Sequence, residues 1–347
     1  MIHAVLARGS TGHVEAFCST GTSPGFTGRT RHRIQLDHDP TQAVEVSYEV
    51  QGPENAPALV VLGGISAGRH LAPTVADPSP GWWPGVVELG GALDPTHHRL
   101  IGIDYLTGPD STLRATGPVT THDQARAIAA VLDVIGAPCV TLVGSSYGGM
   151  VALVFAELFA SRVSGLVLLC AAHRTHPMAT ALRSIQRAVV RLGEEGGAPA
   201  EGLALARALA ITTYRSADEF ERRFDYSPDL ASIDINGGEV RFPVQDYLEA
   251  RGEAFASVFD VESYLSLSTS IDIHYVDPEL VESRTTLLSF DTDSLVPPWL
   301  VEELALGVPG VCEHVTLASP FGHDAFLKEP ERVSSALRAA IESHGVG

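Results

Sequence analysis

The sequence predicts an α/β protein: a mostly parallel, doubly wound sheet into which a helical lid domain is inserted. Three observations predict it. Short apolar runs alternate with helical periodicity in the first half, the alternation breaks between residues 174 and 283, and it resumes at 285. Strands are expected at 44–50, 58–62, 99–103, 139–143 and 165–170, and helices at 122–135 and 149–160. Such alternation implies parallel strands covered on both faces, because each crossover lays a helix on the sheet. Inside 174–283 the periodicity is helical, at 178–192, 201–214, 217–224, 244–258 and 261–270. Residues 1–40, rich in Gly, Thr, Ser and His, read as an N-terminal extension whose first 20 or so residues are poorly ordered. The core is then assembled from 41–173 and 284–347.

Ser146 stands at the centre of Gly144-Ser145-Ser146-Tyr147-Gly148, directly after the apolar run Cys139–Val143 and directly before an apolar helical pattern. A serine there occupies a sharp strand-to-helix turn that lifts its hydroxyl clear of the sheet. Gly144 and Gly148 fit because a Cβ would crowd the turn, and Gly149 lets the helix approach the strand. The free N–H groups of the helix N-terminus face any negative charge that forms at Ser146. Five residues of this kind arise by chance, so the partners downstream matter.

Two partners are present. Thr285–Phe290 reads as a strand running into Asp291-Thr292-Asp293-Ser294, and either acid can serve as the third member of a relay. After another short strand, Glu313–Leu317, comes His323 in Phe321-Gly322-His323-Asp324. Nucleophile, acid, histidine is the chain order of α/β-hydrolases. A hydrolase-type oxyanion site would use the backbone N–H of Tyr147 and one from Gly63-Gly64-Ile65-Ser66, with Ile65 as the donor.

The blocks Gly144–Met150, Thr292–Pro298 and Gly322–Leu327 together resemble the homoserine O-acyltransferases, enzymes of the α/β-hydrolase fold. Weaker matches are Gly63–Ala67, Pro80–Trp83 and Gly202–Arg207 followed by Tyr214-Arg215-Ser216, so the resemblance covers about residues 45–345. It departs at Tyr147, where the family commonly has Met, and in a short stretch before Arg207. The resemblance implies Asp293, immediately before Ser-Leu-Val-Pro-Pro, as the catalytic acid. It implies Arg207 for the carboxylate and Asp324 for the ammonium of L-homoserine, a homodimer, and a place in methionine biosynthesis. It implies a ping-pong reaction in which acyl-CoA acylates Ser146 and the hydroxyl of homoserine takes the acyl group, with no bound cofactor. A related branch acylates serine, and a plain esterase or thioesterase shares the triad. Acetyl-CoA and succinyl-CoA both remain open as donors: some succinyl-using members carry Arg where this chain has Leu295, whereas Arg69 beside the oxyanion loop could receive a succinyl carboxylate.

Composition bounds the partners. A formal net charge of −19 opposes nucleic acid and anionic membranes, and no apolar stretch is long enough to span a bilayer. With no charged-then-apolar leader, the expected location is the cytoplasm. Cys18, Cys139, Cys170 and Cys312 show no C-x-x-C spacing and read as reduced core thiols. Arg183, Arg187 and Arg191 recur every four residues on one helix face, either as a strip for CoA phosphates or as a solvated face paired with Glu194 and Glu195. His173 and His176 have i, i+3 spacing, but Pro177 and a loop setting speak against a metal. Trp82 and Trp83 are expected to pack a loop over the pocket.

Overall fold

A computed structural model describes residues 14–16, 25–39, 42–109, 111–113, 115, 117–224 and 242–345. A nine-stranded sheet orders its strands β1-β2-β3-β5-β4-β6-β7-β8-β9. The strands are β1 Val14–Ala16, β2 Gly25–Ile34, β3 Gln42–Gln51, β4 Ala58–Leu62, β5 Arg99–Ile103, β6 Val140–Ser145, β7 Val163–Leu169, β8 Thr285–Phe290 and β9 Cys312–Leu317. From β5 through β9 every pairing is parallel, and β1, β2 and β3 add an antiparallel edge. β4, β6 and β8 are buried along almost their whole length; β4 is apolar throughout, while β6 and β8 also bury small polar residues such as Thr141, Thr285 and Ser289.

β2 lies in the stretch read from sequence as an extension outside the core. Its residues Gly-Phe-Thr-Gly-Arg-Thr-Arg-His-Arg-Ile carry few apolar side chains, so no apolar run marks it. Pairing along all ten residues with β3, from Gly25↔Gln51 to Ile34↔Gln42, holds it in the sheet. Tyr48 of β3 covers Gly28, where a Cβ would lie 2.5 Å from the Tyr48 ring, and its ring meets Phe26 edge-on at 6.5 Å. The expectation of poor order for the first 20 residues falls outside the described residues, Val14–Ala16 excepted.

Helices α1 Thr121–Ile135 and α2 Tyr147–Leu158 follow the sequence closely. α1 opens with a capping box between Thr120 and Asp123 and closes on Gly136 in the left-handed region at φ 67°. Between β7 and β8 lie α3 Pro177–Glu195, α4 Pro199–Tyr214, α5 Ala217–Arg223, α6 Pro243–Ala256 and α7 Val261–Asp272. α3 and α4 cross at Gly193 and Gly202, where an added Cβ on Gly193 would come within 2.7 Å of the Gly202 Cα. Three further helices, α8 Pro298–Gly307, α9 Ala325–Lys328 and α10 Pro330–Ser343, were not marked in the sequence. Pro297 ends the loop after β8 and Pro298 starts α8 at its first position, where a missing N–H costs nothing. Among the described residues no helix is long and apolar enough to cross a membrane.

This topology positions the chemistry. β4 lies between β5 and β6, so the connection after β4, towards β5, and the connection after β6, towards β7, leave in opposite directions and a crevice opens between them at the C-terminal strand ends. Leu62 pairs with Gly144, which sets the loop after β4 beside the turn after β6. The loops after β8 and β9 reach the same edge, because Phe290 pairs with Leu317.

Candidate active site

Ser146 joins β6 to α2 at φ 54° and ψ −121°, a strained backbone for a residue with a Cβ. The turn is held from all sides. Ser146 N–H donates to Leu169 O at 2.9 Å, Gly148 N–H to Gly63 O at 2.9 Å, and Tyr105 Oη–H to that same Gly63 O at 2.7 Å. Added Cβ atoms at Gly148 and Gly149 would lie 2.4 Å from the Leu62 backbone and from the Ala171 Cβ, so both glycines are required by close approach.

His323 Nε2 lies 2.8 Å from Ser146 Oγ, and His323 Nδ1 lies 2.7 Å from Asp293 Oδ2. Asp293 Oδ1 accepts from the N–H groups of Leu295 (2.9 Å) and Val296 (3.0 Å), so both carboxylate oxygens are engaged. Asp291 does something else: its Oδ1 accepts from Ser319 N–H at 2.9 Å and pins the loop that carries His323. Thr292 adds to that clamp, since its hydroxyl donates to Ser319 O at 2.5 Å and accepts from Gly322 N–H at 3.0 Å. Burial of His323 works against its cation, but the charge of Asp293 and the hydrogen bond to it prevail, and its pKa is raised above 6.5.

The N–H groups of Gly149 and Met150 donate to Ser146 O, and that of Gly148 is bound to Gly63. The N–H groups of Tyr147 and Ile65 are left without a partner among the described residues. Both residues line a cavity of about 230 Å³ that also contains Ser146 and His323. The Tyr147 side chain is buried, with its hydroxyl 2.8 Å from Ser270 Oγ and its ring edge-on to Tyr105 at 4.9 Å, so only its backbone is offered to the cavity edge.

Arg207 also lines this cavity. Its guanidinium lies over the rings of Phe255 (4.7 Å) and Tyr214 (5.1 Å), and it has no carboxylate partner among the described residues. Asp324 lines the cavity too, with Oδ2 2.9 Å from Arg215 Nε, and Arg215 also meets Glu219 at 2.5 Å.

Other sequence readings are altered. Arg183 and Arg187 form neither a strip for phosphates nor a solvated face: both bind Asp272 of α7, at 2.7 Å each. Arg69 is bound to Asp104 by its side chain and by its backbone N–H, the latter at 2.7 Å. Cys139 is exposed rather than a core thiol, because it precedes β6 at the surface; Cys312 is half-buried and Cys18 lies outside the described residues. His176 caps α3 by accepting from Met178 N–H, and His173 lies 3.3 Å from Glu303. Trp82 and Trp83 stack at 4.9 Å and Trp83 donates to Phe326 O, which ties the loop before β5 to α9.

Cys170, just after β7 at φ 51°, was read only as a core thiol, yet its Sγ lies within 4.8 Å of the ligand atoms of Asp293 and His323. Burial, then the charges of Asp293 and Asp324, hold its thiol protonated. Both nitrogens of His323 and both oxygens of Asp293 already have partners, so the trio offers little to a metal. Nothing local in the sequence points to Cys170, Tyr105 or Thr292 as neighbours of the site, because the sheet brings them there.

A family model of the α/β hydrolase fold matches residues 57–330. The chain is 43% identical to the homoserine O-succinyltransferase of Xanthomonas campestris pv. campestris over 323 residues, 93% of this chain and 85% of that one. It is 34% identical to the serine O-succinyltransferase of Litchfieldella anticariensis over 331 residues, 84% and 90% of the two chains. Among solved structures, a homoserine O-acetyltransferase from Bacillus anthracis superposes with a TM-score of 0.81 at 17% identity, over 91% of this chain and 97% of that one.

Proposed function

The chain belongs to the α/β-hydrolase family and within it to the homoserine O-acyltransferases, and on that premise we propose that it moves an acyl group from acyl-CoA to the hydroxyl of L-homoserine, through an acyl-Ser146 intermediate. One observation carries the reading: the continuous relay Asp293–His323–Ser146 opens into the same cavity as an Arg207 with no carboxylate partner among the described residues.

His323 accepts the proton of Ser146 Oγ as that oxygen attacks the thioester carbonyl. Asp293 holds the imidazole by its Nδ1 and balances the positive charge that forms. The tetrahedral oxyanion is received by the N–H groups of Tyr147 and Ile65, whose loop is fixed by the double acceptance at Gly63 O. The C–S bond breaks, CoA leaves with the proton from His323, and Ser146 carries the acyl group. The hydroxyl of homoserine then attacks, with His323 again as base. Arg207, stiffened by two aromatic faces, suits a bidentate bond to the acceptor carboxylate. Asp324 has Oδ2 on Arg215, so Oδ1 is the oxygen for the ammonium. Helices α3, α4 and α7 roof the cavity and exclude water, which would otherwise hydrolyse the ester. No step requires a metal or bound cofactor. A homodimer in the cytoplasm, serving methionine biosynthesis, completes the reading; the exposed Leu192 and Leu205 on α3 and α4 support the dimer.

A serine acceptor is the second reading, favoured by the 34% identical serine O-succinyltransferase. A thiol-release assay with acyl-CoA and homoserine, serine or no acceptor separates the cases. Homoserine-dependent release supports the proposal, serine-dependent release moves the acceptor, and acceptor-independent turnover makes the protein a thioesterase.

A further inference from the structure

The cavity around Ser146 holds more positive charge than an amino-acid acceptor calls for. An α-amino acid brings one carboxylate and one ammonium, which Arg207 and Asp324 answer. A second cationic group remains. Arg183 and Arg187, one turn apart on α3, share one carboxylate, Asp272: Arg183 through Nε at 2.8 Å and Arg187 through Nη1 at 2.7 Å. Two guanidiniums on one carboxylate leave an excess charge, in side chains only 14% and 13% exposed. Arg183 lines the cavity, and its Nη1 has no partner among the described residues. It is close enough for its charge to oppose protonation of His323. The remaining lining arginine, Arg174, is matched by Glu303 at 3.1 and 2.6 Å.

The geometry points to a donor whose acyl group ends in a carboxylate, the CoA thioester of a short dicarboxylic acid of the succinyl type, with that carboxylate received by Arg183 in its cluster with Arg187 and Asp272. The inference rests on the acyltransferase reading above. A guanidinium with unbalanced charge in a cavity of low polarity gains most from an anion that enters with the substrate. The phosphates of CoA do not serve, because the pantetheine arm holds them away from a thioester at Ser146. In the transfer the Ser146 O–acyl bond forms, the C–S bond breaks, the thiolate takes the proton from His323, and the distal carboxylate is unchanged. The donor is thus selected by α3 and α7, and not by the second position after Asp293, where Leu295 stands in place of the Arg of some succinyl-using members.

Steady-state CoA release is measured with succinyl-CoA and acetyl-CoA at saturating homoserine, for wild type, Arg183→Gln and Arg183→Lys. Wild type should favour succinyl-CoA in kcat/KM, and Arg183→Gln should cut the succinyl-to-acetyl ratio by at least about tenfold, as loss of a charged partner does. Arg183→Lys keeps Asp272 paired and folding secure, and it should cut the ratio less, since a point charge keeps attraction but loses the fork. Preference of wild type for acetyl-CoA, an equal loss with both donors, or a raised homoserine KM in place of a changed donor ratio would each overturn the assignment. Failure of the acyltransferase reading itself looks different: CoA release would then be absent with both donors or would not depend on an amino-acid acceptor.

Discussion

Asp291 and Asp293 are two residues apart on one loop, yet their hydrogen bonds separate them. Asp293 faces His323 Nδ1 at 2.7 Å, whereas Asp291 accepts a backbone N–H from Ser319. Asp293→Asn should lower kcat by about 10⁴-fold, because an amide favours the wrong imidazole tautomer and leaves the cation unbalanced. Asp291→Asn keeps an acceptor for Ser319 and should lower kcat only a few fold; comparable losses in the two variants would transfer the catalytic role. The histidine has a pH signature. It must be neutral to accept the Ser146 proton, and burial, overridden by Asp293, leaves its pKa raised. Activity should therefore be lost as pH falls through a midpoint above 6.5, the ordinary imidazole value. A kcat/KM profile whose acid limb lies below 6.5 would contradict this assignment of the base.

Among elements, the β6–α2 turn and the loop after β4 act as one unit. Gly148 links them twice, by its N–H to Gly63 O and by an approach so close that a Cβ would sit 2.4 Å from Leu62 C and O. Gly148→Ala must push α2 off β4, at a cost of about 3 kcal/mol as overpacking. It should also reduce kcat more than it changes substrate KM, because the displaced loop carries the Ile65 N–H. Urea unfolding beside steady-state kinetics tests both effects, and a variant with native stability and native kcat would show that the approach is looser than described. The elbow was legible in the sequence because its constraints are local: an apolar strand, two glycines and a helix within a few residues. β2 was not, because nothing in its own polar residues requires a strand; the demand comes from β3, whose free edge and Tyr48 side chain it satisfies.

At the scale of the molecule, the return from the helical segment to the sheet is secured by a buried histidine. His274, just after α7, lies 3.0 Å from Thr121 Oγ1 on α1 and 3.2 Å from Ala172 O beyond β7. Burial depresses its pKa from 6.5 to about 3, so it stays neutral in the fold while the unfolded chain protonates it. Its stabilisation is whole above 6.5 and is lost as pH falls towards 3, at up to about 1.4 kcal/mol per pH unit. Between pH 6.5 and 5, wild type should lose about 2 kcal/mol more than His274→Asn in urea unfolding. Parallel pH dependences of the two proteins would assign acid sensitivity elsewhere.

The chain order serine, acid, histidine, the sheet-and-helix alternation and the positions of α3 to α7 were legible along the chain. These depend on periodicity and on residues a few positions apart, which a linear reading contains. How charges pair was set by the folded arrangement alone. It joined Arg183 and Arg187 to Asp272, at a separation of 85 residues or more, and Arg215 to Asp324 across the cavity wall. It left Arg207 over aromatic rings with no carboxylate partner among the described residues. The physical reason is that a long charged side chain bonds to whatever lies within a few ångströms. Which groups lie there is set by strand register and helix packing, and so by the whole chain at once.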